Sequence, residues 1–253
     1  MGQLDGKIAL VTGAGRSVGL GVAQELAEAG ASVALNDLHR ERAEVAVKEI
    51  NAAGGRVIAA PFDVTNLEAV AAGIARVERE LGPLDILVNN AGIPEGIGAT
   101  GPFVDSDPSQ WHFNLDLNLY GSMYCIRTVL PGMKQRGWGR IIQISSGAGS
   151  RGVPNVSIYS AAKAGIEGLV RSVAIEMAQT GVTLNAIALG LMANTGERMG
   201  DSPMLQQVFR TIPMGRLGQP REIGAAAVWL ASDKAGYVTG QTIHVNGGSV
   251  HGR

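Results

Sequence analysis

Seven short apolar runs rich in Val and Ile alternate with longer amphipathic stretches, and few folds accommodate that order. The runs cover residues 7–12, 32–37, 56–61, 85–89, 140–145, 183–187 and 242–245. Their near-continuous apolarity predicts strands buried on both faces, as in a parallel sheet. The stretches 18–29, 40–53, 66–81, 108–136, 158–179 and 220–231 read as helices, and Gly30, Gly54 and Gly82 follow three of them as stops. Strand–helix alternation requires right-handed crossovers. No Pro/Ser-rich linker divides the chain. The expectation is one α/β domain over 1–253, with a doubly wound parallel sheet of about seven strands and helices on both faces.

Several function classes are disfavoured at this level. The formal net charge is -1, from 21 basic and 22 acidic residues, and no Lys/Arg run offers a footprint for nucleic acid. Aromatics make up 4% of the chain, too few for base-stacking platforms. No uninterrupted apolar run reaches bilayer-spanning length. The single Cys125 cannot form an internal disulfide, and the first run begins too early to leave space for a signal peptide, so a cytoplasmic protein is expected. His39, His112, His244 and His251 form no metal-ligand spacing, and no metal is expected.

In a doubly wound sheet, ligands bind beyond the carboxyl ends of the strands. The first run leads directly into Thr12-Gly13-Ala14-Gly15-Arg16-Ser17-Val18-Gly19-Leu20-Gly21 and a helix. Glycines there let backbone approach a pyrophosphate, and the helix N-terminus offers it unpaired N–H groups; a tight strand–helix turn explains the glycines equally well. Asp37 ends the second run, where a carboxylate accepts from both hydroxyls of an adenosine ribose or caps the next helix. Asp63-Val64 and Asn89-Asn90-Ala91-Gly92 follow the third and fourth runs, Asp63 also suiting an N-cap and the Asn pair ordinary turn chemistry. Tyr159 and Lys163 stand four apart, on one helix face, where an ammonium would lower the phenol's pKa. By itself that spacing describes many helix faces.

Together these motifs resemble the short-chain dehydrogenase/reductase family, over residues 7–248. The resemblance implies a single-domain Rossmann-like fold and a nicotinamide-dependent oxidoreductase acting on a small-molecule alcohol or carbonyl. Gly13 and Gly19 match the family's Thr-Gly-x-x-x-Gly-x-Gly loop, with Ser17 at the middle glycine position. Ser146, thirteen residues before Tyr159, and Asn118 upstream complete an Asn-Ser-Tyr-Lys tetrad, with Ser145 as the near alternative. By resemblance Ser146 binds the substrate oxygen, Tyr159 exchanges the proton, Lys163 lowers the phenol's pKa and holds the nicotinamide ribose, and Asn118 positions a water.

The implied cofactor contacts are Gly13, Arg16, Ser17, Val18 and Gly19 in the first turn, then Asp37, Asp63, Val64, Asn90, Ala91 and Gly92. Tyr159, Lys163, Gly190 and Met192 complete the set. Arg16 suits the 2′-phosphate of NADP whereas Asp37 repels it, and the balance favours NAD, with NADP left open. The alternatives are an NADP-dependent 3-oxoacyl-carrier-protein reductase-like enzyme and a non-catalytic dinucleotide-binding module. Leu189 replaces a family Pro and frees the backbone where a lid over 188–215 begins. Asn194 or Thr195 serves near the carboxamide, and Met192, Met199, Met204, Leu205, Val208 and Phe209 make the lid apolar. An extended segment, 93–100, reads as a pocket rim or a surface loop. The resemblance further implies a homo-oligomer, dimer or tetramer.

Overall fold

The central strands send alternate residues into two different apolar layers, which is why their runs read as continuous. In the computed structural model, which describes residues 2–92, 101–193 and 210–250, the strands are β1 (Ile8–Val11), β2 (Ser32–Leu35), β3 (Arg56–Ala59), β4 (Ile86–Asn89), β5 (Gly139–Ser146), β6 (Val182–Leu189) and β7 (Thr242–Val245). All pair in parallel, in the order β3-β2-β1-β4-β5-β6-β7. Ala9 and Val11, Ile86 and Val88, and Ile142 and Ile144 pack on one side, against α1 (Ser17–Glu28), α2 (Arg40–Ala52) and the helix Pro220–Ala231. Leu10, Leu87 and Ile141 pack on the other, against α3 (Leu67–Leu81) and the helices Gly121–Arg136 and Ser157–Met177. This is a single Rossmann-like α/β domain. The shift from one strand face to the other at every residue is the period of two that a pleated strand imposes.

The stretch expected as one helix over 108–136 is interrupted. A 3₁₀ turn (Pro108–Gln110) leads into α4 (Trp111–Leu115), then a π-helical segment (Asp116–Tyr120), then α5 (Gly121–Arg136). The cause is local: Asn118 Nδ2 donates to the Asn114 carbonyl at 3.0 Å, competing for an acceptor the regular ladder would use. Such single-turn π segments are frequent where a helix serves a site. A short α6 (Gly147–Arg151), absent from the sequence reading, precedes α7 (Ser157–Met177), and α8 is Pro220–Ala231.

The alternative capping roles of Asp63 and Asp37 are taken by other residues. The N-cap of α3 is Asn66, which accepts from Ala69 N at 2.9 Å, while Asp63 Oδ1 accepts from Thr65 N and Thr65 Oγ1, both at 2.8 Å. The N-cap of α2 is His39 rather than Asp37; Asp37 Oδ1 accepts from His39 N at 3.0 Å. Leu189 is also more constrained than its lack of a proline ring suggests. It lies inside β6, in register with Ser146 and Val245, and the following Gly190 N donates to Val245 O at 3.1 Å. Among the described residues, no helix is long and apolar enough to cross a membrane.

Candidate active site

Strand order reverses between β1 and β4, so the crevice beyond their carboxyl ends is the natural ligand site. The two turns flanking it are bolted together. Thr12 Oγ1 accepts from Asn90 N (3.0 Å) and Ala91 N (3.1 Å), and Asn90 Nδ2 donates to Thr12 O (3.0 Å) and Gly13 O (2.9 Å). A Cβ on Gly19 would stand 2.4 Å from Gly13 O and 2.5 Å from Asn90 Nδ2, so this clamp and a side chain at 19 exclude each other. Asn36, which the sequence reading passed over, ties in β2: its Nδ2 donates to Ala60 O and Phe62 O, and its carbonyl accepts from Ala14 N at 2.7 Å. The signal was a fully polar residue ending an apolar run.

The first turn of α1 carries no acidic residue, and its N-cap, the exposed Arg16, makes no side-chain cap, so the N–H groups of Ser17, Val18 and Gly19 suit an anion. Asp37 is 6% exposed and spends one oxygen on Gly15 N (3.2 Å) and the other on His39 N (3.0 Å). A carboxylate has about four lone-pair sites, so acceptor capacity remains for a ribose diol. These residues fit a dinucleotide.

Ser17 does not escape the dihedral expected of the glycine it replaces; its φ is +56°. Left-handed backbone costs an L-residue about 1–2 kcal/mol. Ser17→Gly is therefore expected to stabilise the fold by about 1 kcal/mol, a rise of roughly 2–4 °C in thermal midpoint. A fall in that midpoint would show that the Ser17 hydroxyl offsets the strain.

At the reacting end, Asn118 and Lys163 converge over Gly92. A Cβ on Gly92 would stand 2.7 Å from Asn118 Oδ1 and 2.9 Å from Lys163 Nζ, so a side chain there would displace both groups. Asn118 Oδ1 is buried without a partner, an acceptor left for a bridging water or ribose hydroxyl. Lys163 is 4% exposed; its Nζ donates to Ile144 O at 2.9 Å and lies 5.6 Å from the Tyr159 ring centroid. Burial pulls the ammonium's pKa down to about 8. Burial also pushes the Tyr159 phenol above its usual value, against a smaller lowering from its hydrogen bond with Ser146. In the free protein, then, desolvation is the larger influence on the phenol.

Ser146, at the end of β5, accepts from Ala148 N at 3.2 Å as the N-cap of α6. Its own proton faces the Tyr159 phenol, in the hydrogen bond that lowers the phenol's pKa. Ser145 points elsewhere: its Oγ donates to the buried Glu167 at 2.7 Å. Asn118, Ser146, Tyr159 and Lys163 therefore gather beyond β4 and β5, while the first-turn glycines and Asp37 form the other end of the crevice. Val64 is buried, with Gly121 packed on it, and Asp63 closes its own turn beside it. Met192 leaves β6 buried, its backbone bridged to Gly218. Asn194, Thr195, Met199, Met204, Leu205, Val208, Phe209 and the segment 93–100 lie outside the described residues. Among the described residues, no group of His, Cys, Asp and Glu could hold a metal ion.

Comparison with known proteins agrees with this geometry. The profile of the family described as "Enoyl-(Acyl carrier protein) reductase" matches residues 13–250. Nodulation protein G of Azospirillum brasilense is 43% identical over 243 residues, 96% of this chain and 97% of that protein. A 3-oxoacyl-[acyl-carrier-protein] reductase, FabG, of Staphylococcus aureus is 41% identical over 243 residues, again 96% and 97% of the two chains. Among solved structures, a candidate gluconate dehydrogenase from Agrobacterium tumefaciens superposes with a TM-score of 0.92 at 35% identity, covering 97% of this chain and 96% of that one. A candidate short-chain alcohol dehydrogenase from Sinorhizobium meliloti gives 0.91 at 36%, covering 97% of both.

Proposed function

Since the chain belongs to the short-chain dehydrogenase/reductase family, and is an oxidoreductase acting on CH–OH groups, we propose that it transfers hydride between NAD and a secondary alcohol or ketone, with Tyr159 as general acid/base. The observation that carries the reading is the convergence of Asn118, Ser146, Tyr159 and Lys163 at one edge of the sheet, next to the glycine-rich turn that follows β1. When bound, the nicotinamide supplies the hydride or accepts it at C4.

The chain's own residues do the rest. Ser146 donates to the substrate oxygen and steadies the charge that develops there. Tyr159 keeps its proton in the free enzyme and delivers it to that oxygen on reduction, or takes it on oxidation. Lys163, buried and drawn toward Ile144 O, is placed to hold the ribose, and Asn118 Oδ1 to accept from the water that returns protons to it. Leu191 and Met214, both within the expected lid over 188–215, line a pocket at the exit of β6 with Val245, Arg216, Glu222 and Asn246, which suits a mixed substrate. We read the enzyme as a cytoplasmic homo-oligomer, dimer or tetramer.

Asp37 supports NAD. A buried carboxylate at the end of β2 accepts from a ribose diol but repels a 2′-phosphate, and like-charge contact costs several kcal/mol. A second reading, an NADP-linked 3-oxoacyl-carrier-protein reductase, is favoured by the Staphylococcus aureus relative and by the exposed Arg16. Fluorescence titration with NADH and NADPH, followed by turnover of acetoacetyl-coenzyme A and gluconate, separates them. Tighter NADH by about 100-fold or more is expected. Asp37→Asn, which keeps an acceptor for the Gly15 turn but removes the charge, should cut that preference by at least about tenfold. Preference for NADPH in the unaltered protein would select the second reading, and binding of neither would return the non-catalytic module.

A further inference from the structure

The tetrad leaves one buried acid of the same helix unused. Glu167 is 7% exposed and lies one turn beyond Lys163 on α7. It accepts from two hydroxyls on the neighbouring segment: Ser145 Oγ at 2.7 Å, and Ser150 Oγ at 3.1 Å to Oε1 and 3.4 Å to Oε2. Those serines bracket Ser146. Ser145 precedes it in β5, and Ser150 lies in α6, the five-residue helix that Ser146 caps.

A helix of one turn has almost no stability of its own, so what holds α6 must come from its neighbours. Gly149 presses onto α7, where a Cβ would stand 2.8 Å from the Lys163 carbonyl carbon and 2.9 Å from Ala164 N. Glu167 supplies the polar half of that contact. The same helix that carries Tyr159 and Lys163 thus grips the segment that carries Ser146, at a point on each side of it.

We infer that Glu167 is a positioning residue for hydride transfer, fixing the 145–150 segment so that the Ser146 hydroxyl is aimed where Tyr159 delivers its proton. The inference rests on the catalytic reading above. It requires two hydrogen bonds to be accepted, not a charge. Gln retains an acceptor oxygen within reach of both serines, whereas Leu of similar size leaves the buried Ser145 hydroxyl only the Lys163 carbonyl at 3.5 Å and releases the exposed Ser150 to solvent.

The test compares Glu167→Gln and Glu167→Leu in the full chain. Three quantities are measured: kcat and KM with whichever of acetoacetyl-coenzyme A or gluconate the unaltered enzyme turns over, NADH affinity by fluorescence, and amide exchange over 147–152. Glu167→Leu should lower kcat by about 10–100-fold, since small misplacement at a reacting centre carries that scale of loss. Its NADH affinity should stay within about threefold, and Glu167→Gln should restore kcat to within about threefold. A folded Glu167→Leu protein with unchanged kcat would reduce Glu167 to a packing residue and overturn the inference. So would a Glu167→Gln variant as impaired as Glu167→Leu, because charge would then be the requirement. If the unaltered protein turns over neither probe, the failure belongs to the catalytic reading. The clamp is then judged by exchange alone, and unchanged protection of 147–152 in Glu167→Leu would overturn it.

Discussion

Tyr159→Phe is expected to lower kcat by about 10²–10⁴-fold, the range that positioned acid–base groups contribute, while NADH affinity stays within about threefold. The phenol oxygen is the only atom removed. The ring that lies 5.6 Å from Lys163 Nζ remains, so the crevice keeps its shape. What disappears is the phenol proton, which burial makes harder to lose, together with the partner of the Ser146 hydroxyl. Because neither group binds the adenosine end, a loss confined to turnover is the signature. Steady-state kinetics and fluorescence titration on the same preparation measure both. Near-full activity in the variant would remove Tyr159 from the mechanism and direct attention to Ser146 as the proton's source.

How much of this was legible beforehand depends on how local the cause is. The central strands were legible because they are buried on both faces, so that Leu10 serves one layer while Ala9 and Val11 serve the other. The Tyr159–Lys163 pairing was legible for the same reason, a four-residue spacing on one helix. Where tertiary contacts decide, the sequence is silent. The π segment at 116–120 is local, but it accompanies one side-chain amide reaching the Asn114 carbonyl, which periodicity does not register. The alternative of Asp37 as the helix cap falls away because its carboxylate accepts from His39 N and Gly15 N, from two different segments, and His39 is the N-cap. Ser145 and Ser146 are chemically alike, and their roles separate only because the pleat turns Ser145 toward Glu167. Glu167 itself continues the series 159, 163, 167, a signal present in the spacing, yet an acid in an amphipathic helix is read by default as solvated.

The cost of holding a lysine in such a place leads to the second large effect. Lys163→Met should abolish at least about 99% of turnover and yet make the free protein more stable. The ammonium's pKa falls from the usual 10.5 to about 8 solely through burial, which corresponds to about 3 kcal/mol against the charged folded state. Met fills a similar volume with no charge to desolvate, so a rise of roughly 5–10 °C in thermal midpoint is expected near neutral pH. The sign of the pH dependence follows from the two proton affinities. Below about 8 the folded and unfolded chains both carry the proton, and the full penalty stands. Between about 8 and 10.5 the folded chain releases its proton first, the unfolded chain binds more, and the unaltered protein gains stability as pH rises. The advantage of the Met variant must therefore shrink across that window and vanish above it. Thermal melts of both proteins from neutral to alkaline pH test this directly. A variant no more stable at neutral pH would mean that the Ile144 contact already offsets the burial of the charge. The predicted result would instead identify Lys163 as a site where stability is given up so that an ammonium stands ready beside the bound ribose.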